Sequence, residues 1–370
     1  MNSNFFIFVQ YNLLKRNDKK FSMIGEKQVL KISEGICSRP IEWRQLCLLK
    51  GDIYQTFTYD KISSVSGHIP IYFELIESDK LVAGVRLFRW ESRRFKKFIS
   101  YIHKPISMIG QIMIIDDDEK KHAVLLNCIR DYIDRQGASE IFVKGFNGSV
   151  FRDIVFSKRK YDVIPIACLN IEKDTDIIIN NFHKTHQRYL KKAQNNEDLV
   201  FSIESSNFEL FYDLLLLTYE GQAIKPPSKE YLRTFWCHFY SENALDICFL
   251  KTKDGLYLNG VMAIRIGRTI HYAFGGNRRN QSGSGVLLHW NMINYYKSLR
   301  FEKLVFGEIS RGSLSNFKGN TVADFKMRFG CYVEYSISQK LSLSKLKNII
   351  WLLIKYIYNE NSKRKRQRII

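Results

Sequence analysis

The sequence predicts an α/β (α+β) chain of two tandem units, each a mixed, mostly antiparallel sheet flanked by helices. Two observations carry that prediction. The order of elements in the first half recurs in the second, and a recurrence of this kind is the first thing to seek in a long chain. The 370 residues also exceed the size at which one core usually stops growing. Composition supplies both cores, since 45% of residues are hydrophobic and only 6 are Pro, which marks a packed chain and not a linker-rich one.

In the first half, helical material at 41–65 leads into apolar, strand-like runs at 69–76 and 80–90 around a Ser78-Asp79 turn. An extended run at 108–115 follows. A helix over 120–136 carries the stripe Val124, Cys128, Ile129, Tyr132 and Ile133, and Gly137 stops it. Residues 139–144 then form a buried strand.

The second half repeats this order. Helical material at 207–243 precedes strands at 245–250 and 256–266 around the turn 251–255, a third strand at 269–275, and a glycine-rich turn. The helix over 286–299 is apolar on two sides, with Leu288, Met292, Tyr295 and Leu299 on one and Val286, Trp290 and Ile293 on the other, so it is expected to be largely buried. A strand at 303–307 closes the pattern with Leu304, Val305 and Phe306 continuous, as where both sheet faces are covered. The junctions 129–143 and 293–306 are alike in pattern, which favours duplication. The expected division is an N-terminal segment 1–30, a first domain 31–165, a second domain 166–340 carrying the candidate functional site, and a basic amphipathic tail 341–370.

Charge points to an anionic partner. The chain has 57 Lys and Arg against 37 Asp and Glu, a net +20, of which segments 79–104, 181–194 and 340–370 hold +6, +4 and +8. Seven scattered cysteines without a Cys-x-x-Cys pair indicate neither a disulfide framework nor a zinc knuckle. The apolar run 5–14 is too short to span a bilayer and lacks a cleavage site, so a cytoplasmic protein is expected. At the C-terminus, apolar residues 349–357 precede the basic run 362–368. That combination suits an amphipathic helix lying on the anionic inner leaflet, a peripheral membrane contact.

The glycine-rich turn 275–285 is the first candidate site. Its glycines let the backbone approach a ligand, and the helix behind offers unpaired N–H groups to a phosphate or oxyanion. Gly276, Asn277, Arg279, Gly283, Ser284 and Gly285 are the candidate donor-binding residues. The strand, turn and helix resemble the phosphate-cradling motif of the GNAT acetyltransferases, in which Gln or Arg, two residues, Gly, one residue, and Gly or Ala bind the pyrophosphate of coenzyme A. Here Asn280 stands in the first position, with Arg279 one place earlier.

Two GNAT-like units in one chain resemble the FemABX family, which adds amino acids from aminoacyl-tRNA to a peptidoglycan precursor, and its envelope-polysaccharide relatives. Three further segments are similar: Trp43 with Tyr54-Gln55-Thr56-Phe57, the basic stretch 182–194, and the closing Phe325-Lys326 with Phe329-Gly330. The resemblance implies Lys326 as the leading catalytic residue, expected on a closing strand with its ammonium aimed at an oxyanion or phosphate. Glu308, after the last buried strand, is a candidate general base. Tyr272 is a further catalytic candidate, weighed against a core role.

Lys184, Arg188 and Lys191, with Lys192 adjoining, fall on one helical face and suit a polyanion such as tRNA or a sugar diphosphate. His183 and His186 have no carboxylate or cysteine at ligand spacing, so no metal is expected and both read as polar surface residues. The function expected is acyl or aminoacyl transfer to an amine of a cell-envelope precursor, a lipid- or nucleotide-linked sugar or a peptidoglycan peptide. Acyl-CoA or aminoacyl-tRNA would serve as co-substrate, with no tightly bound cofactor. The alternative is a non-catalytic basic module binding RNA or anionic membrane.

Overall fold

The computed structural model describes residues 18–22, 28–91, 103–146, 162–221, 225–278, 283–309, 322–344, 346–347 and 349–350. The apolar run 5–14, turn residues 279–282 and most of the C-terminal tail lie outside them. The chain divides into unit 1, residues 1–162 and 337–370, and unit 2, residues 163–336.

Unit 1 begins with β1 (Asp18–Ser22) and β2 (Gln28–Glu34), then α1 (Pro40–Lys50), a 3-10 turn (Ile53–Gln55) and α2 (Phe57–Val65). Pro40 suits the first turn of α1, where its missing N–H costs nothing, and Thr56 caps α2 by accepting from the Tyr59 N–H. β3 (His68–Glu77) and β4 (Lys80–Trp90) form a hairpin whose turn residues Ser78 and Asp79 both have positive φ, the two-residue geometry that matches strand twist. β5 (Pro105–Ile109), β6 (Met113–Ile114), α3 (Glu119–Gln136) and β7 (Glu140–Phe146) complete the unit. Its strands run in the order β1-β2-β3-β4-β5-β7, all antiparallel except β5 with β7, the pair that α3 connects.

Gly137 ends α3 in the left-handed region at φ 58°, as its sequence position predicts. The buried stripe is Leu125, Leu126, Ile129, Tyr132 and Ile133; Val124 and Cys128 pack only at its margin. The Trp43 and Gln55 segments prove to be ties within the fold. Trp43 Nε1–H donates to the Gln55 carbonyl (2.9 Å), while the Gln55 side chain accepts from the Arg86 N–H (3.1 Å) on β4 and donates to the Ile109 carbonyl (3.1 Å) on β5.

Unit 2 contains β8 (Asp162–Asn170), α4 (Thr175–Asn180), α5 (Lys184–Gln194), β9 (Leu199–Ile203), α6 (Phe208–Glu220) and α7 (Lys229–Ser241). It continues with β10 (Leu245–Thr252), β11 (Tyr257–Ile266), β12 (Thr269–Asn277), α8 (Ser284–Ser298), β13 (Lys303–Glu308) and α9 (Val322–Met327). The last strand, β14 (Tyr332–Ser342), is divided after Ser336, and Ile337 joins the core of unit 1. Strand order here is β8-β13-β12-β11-β10-β9, again with a single parallel pair, β12 with β13, joined through α8. Strand, two helices, three antiparallel strands, helix and parallel strand thus occur in both units.

α8 is buried on most sides through Val286, Leu287, Leu288, Trp290, Met292, Ile293 and Tyr296, whereas Leu299 at its C-cap is exposed, against expectation. Residues 322–327 are helical and not a strand. Phe325, Met327 and Phe329 mimic a period of two, but Phe325 and Phe329 also stand four apart, one helical turn.

Candidate active site

The site begins where two strands separate. β12 and β13 pair only through Thr269 with Lys303, Ile270 with Leu304 and His271 with Val305. On its other side β12 changes register against β11: Met262 faces Phe274 while Ala263 faces Tyr272. The extra residue is a β-bulge, which bends a strand and re-aims its side chains. Gly275 completes the aim, because a Cβ there would lie 1.7 Å from the Tyr272 hydroxyl.

Tyr272 stacks on His289 of α8, ring centroids 5.7 Å apart, and tilts against Phe306 of β13 at 6.3 Å. His289 also packs on Phe325 and Phe329, and its Nδ1–H donates to the Gly285 carbonyl at 2.7 Å. Since that carbonyl only accepts, Nδ1 carries a proton. Burial pushes its pKa down to about 4, with the nearby Lys326 charge acting in the same direction.

Lys326 sits in this cluster on α9 and is 9% exposed. Its ammonium donates to the Glu308 carbonyl at 3.3 Å and lies 5.5 Å from the centroid of the Tyr272 ring. Burial lowers its pKa to about 8, against the favourable fields of Cys331 and Glu308. The structure therefore brings Lys326, Tyr272 and the backbone of Glu308 together, while the Glu308 side chain is exposed at the end of β13. The Tyr272 phenol is pushed up by burial, so it stays protonated. Gly330, which closes the Phe329-Gly330 motif at φ 73°, has no room for a Cβ against the Asn181 backbone at 2.6 Å.

The helix behind the turn starts on a glycine. Gly283 is its N-cap at φ 94°, without a side-chain cap and without an acidic residue in the first turn. A Cβ at Gly283 would meet the Tyr189 carbonyl of α5 at 2.8 Å, so only glycine lets α8 start against that helix. Gly285 meets nothing closer than Phe325 at 3.6 Å, and Ser284 is buried. Gly276 is required by packing: a Cβ would fall 2.6 Å from the α6 backbone at Leu214 and Leu215. The Asn277 N–H donates to Thr218 Oγ1 at 2.6 Å and ends β12. Arg279 and Asn280 lie outside the described residues.

On α5, Lys184, Arg188, Lys191 and Lys192 are exposed on one side while His186, Leu190 and Ala193 are buried on the other. His186 is a correction to the sequence reading. It is 2% exposed, its Nε2 bonds the Phe325 carbonyl at 3.0 Å, and burial lowers its pKa to about 4. His183 is exposed and caps α5 by accepting from the Thr185 N–H. Among the described residues no three His, Cys, Asp or Glu side chains group as metal ligands would.

Residues 180–321, which include α5, β9 to β13 and the glycine turn, match the family model of an acetyltransferase (GNAT) domain. This stretch of unit 2 is therefore similar to a GNAT domain. Among solved structures it is similar to FemX, with a TM-score of 0.69 at 10% identity over 87% of this chain and 99% of that one. It is also similar to a conserved protein of unknown function from Bacteroides thetaiotaomicron VPI-5482, with a TM-score of 0.51 at 10% identity over 82% and 98% of the two chains. Comparison with curated protein sequences gives no match. The tandem GNAT-like, FemABX-like fold expected from the sequence is borne out.

Proposed function

We propose that this chain is an N-acyltransferase whose site lies in the second domain. It moves an acyl or aminoacyl group onto an amine of a cell-envelope precursor, a lipid- or nucleotide-linked sugar or a peptidoglycan peptide. The observation that carries the reading is the buried Lys326 ammonium, 5.5 Å from the Tyr272 ring centroid, in the cluster that His289 links to the first turn of α8. The acceptor nitrogen attacks the donor carbonyl carbon, a C–N bond forms, and the carbonyl electrons move onto oxygen, where Lys326 stabilises the charge. Collapse breaks the C–S or C–O bond to the donor. The proton shed by the amine reaches the leaving thiolate or alkoxide through Glu308 or water.

Both donor classes are anionic. The N–H groups at Gly283, Ser284 and Gly285, with Asn277 and Arg279, would hold a donor phosphate, and Lys184, Arg188, Lys191 and Lys192 the rest of a polyanion. The GNAT match supports acyl-CoA and the FemABX resemblance supports aminoacyl-tRNA. Such an enzyme acts in the cytoplasm, and the basic C-terminal segment 341–370 suits contact with the inner leaflet. Among the described residues no helix is long and apolar enough to cross a membrane.

The test is incubation of the full chain with acetyl-CoA or with charged tRNA, together with sugar-nucleotide amines and precursor peptides, and product detection by mass. A product from one donor class is expected. No transfer from either, with salt-sensitive RNA or vesicle binding that Lys326→Ala leaves intact, would instead support the binding module.

A further inference from the structure

We infer that Tyr272 is a positioning residue, whose ring face holds the Lys326 ammonium in the place a carboxylate would otherwise take. This rests on the reading of Lys326 as the charge that meets the donor carbonyl.

A buried cation needs compensation. A carboxylate supplies it, but it also cancels the field the cation would exert on a developing oxyanion. The negative face of an aromatic ring attracts an ammonium within about 6 Å of its centroid without neutralising it. Lys326 is compensated in this second way: its ammonium lies 5.5 Å from the Tyr272 centroid and donates to the Glu308 main-chain carbonyl, and it has no carboxylate ion pair among the described residues. The groups that act electrostatically on it are Glu308 on β13 and Cys331 after α9, both favouring the charged form, with neutral His289 on α8 beside them.

The chain around Tyr272 is built to fix that ring. The bulge between β11 and β12 turns it, Gly275 leaves the space its hydroxyl fills, and His289 stacks against it at an interplanar angle of 21°. His289 is anchored in turn by its bond to Gly285. No other residue type at 275 would leave room for the ring, since a Cβ there would also lie 2.7 Å from the ring carbon bearing the hydroxyl.

The test measures the titration midpoint of Lys326 in the full chain, by competitive amine labelling across pH read by mass. It uses wild type, Tyr272→Phe, Tyr272→Leu and Gly275→Ala. The phenylalanine variant keeps the ring face and is expected to keep the midpoint. The leucine variant should lower it by about one pH unit, the shift expected when a desolvated cation–π contact is lost. Gly275→Ala, which displaces the tyrosine without replacing it, should move the midpoint in the same direction and decides the matter if the leucine variant does not fold. In the transfer assay, Tyr272→Leu should lower kcat and bring the alkaline limb to lower pH, with donor KM unchanged.

An unchanged midpoint in both Tyr272→Leu and Gly275→Ala would overturn the inference, as would a phenylalanine variant that falls as far as the leucine one. Because the midpoint needs no turnover, the inference survives if no transfer is found, and it fails without touching the transferase reading if the midpoint does not move.

Discussion

Unit 1 and unit 2 share one order of elements and differ at the two places where a donor would enter. In unit 1 the parallel pair β5 and β7 is joined along five residues, from Pro105 with Glu140 to Ile109 with Lys144, and the Gly110 N–H extends it to the Lys144 carbonyl at 2.9 Å. In unit 2 the corresponding pair separates after three. The helix that follows differs as well. α3 is capped by Asp118, with Glu119 in its first turn and Asp116 and Asp117 just before it, while α8 starts on bare Gly283. Carboxylates stabilise a helix N-terminus and repel a phosphate from it. Unit 1 has its parallel pair joined over five residues and its helix end acidic; in unit 2 the pair parts after three and the first turn of α8 holds no carboxylate.

Charge sharpens the contrast. Unit 1 holds 36 Lys and Arg against 20 Asp and Glu, and unit 2 only 21 against 17. An anionic donor at the proposed site would therefore depend on local charge, that of α5 and the α8 terminus, more than on the net charge of unit 2.

The largest expected effect is at Lys326. Lys326→Ala should lower kcat about 100- to 1000-fold, as for loss of an oxyanion-stabilising group. The buried lysine of unit 1, Lys121, is paired with Asp116 and Glu77, and Lys121→Ala should leave kcat unchanged in the same assay. Since the Lys326 ammonium has a pKa lowered to about 8, the rate should fall as pH rises through that value. A flat alkaline profile would remove the charge from the mechanism. The double substitution Arg188→Ala, Lys191→Ala should raise donor KM about tenfold at low salt, with the difference shrinking as salt is added. Equal loss at all salt concentrations would mean that α5 acts through packing.

A further effect belongs to unit 1 and is on stability, not on transfer. Burial pushes Asp52 up to about 6, against bonds from the Tyr54 and Gln111 N–H groups that favour its charged form. A carboxyl whose folded pKa exceeds its unfolded value contributes stability that is complete below about 4 and is lost as pH rises through about 6. Wild type should therefore lose about 2 kcal/mol relative to Asp52→Asn between pH 4 and 7, measured by denaturant unfolding. A constant difference would place the carboxyl in a wetter setting than its burial indicates.

The repeat was legible because it is written in local signals: the turns at Ser78-Asp79 and 251–255, the stop at Gly137 and the apolar blocks of 286–293. The flanking strands β1, β2, β8, β9 and β14 carry no such signals. Their role is to pair at the borders of the repeat, and pairing partners far away in sequence leave no periodicity of their own. Lys326 stands out only through the resemblance, and it lies on a helix where the sequence suggests a strand because Phe325, Met327 and Phe329 fit two periods at once. His289 and the buried state of His186 were missed for a common reason. A polar residue among aromatics is indistinguishable from a surface one until Phe325 and Phe329 close on both histidines, with Phe306 of β13 added against His289. Gly275 carried no signal beyond being a glycine in a glycine-rich run.

The central claim is that the donor phosphate meets the N-terminus of α8 and not that of α3. Gly285 has room for a Cβ, in ordinary contact with Phe325, so Gly285→Asp is chosen to place a carboxylate in the first turn of α8 much as Glu119 stands in α3. Equilibrium binding of the donor that supports transfer, measured for Gly285→Asp and for Glu119→Gln, is the direct test. The account predicts binding weakened about tenfold or more in the first, with thermal stability held or raised by the helix dipole, and no change in the second. Donor affinity unaltered by Gly285→Asp, or raised by Glu119→Gln, would contradict it.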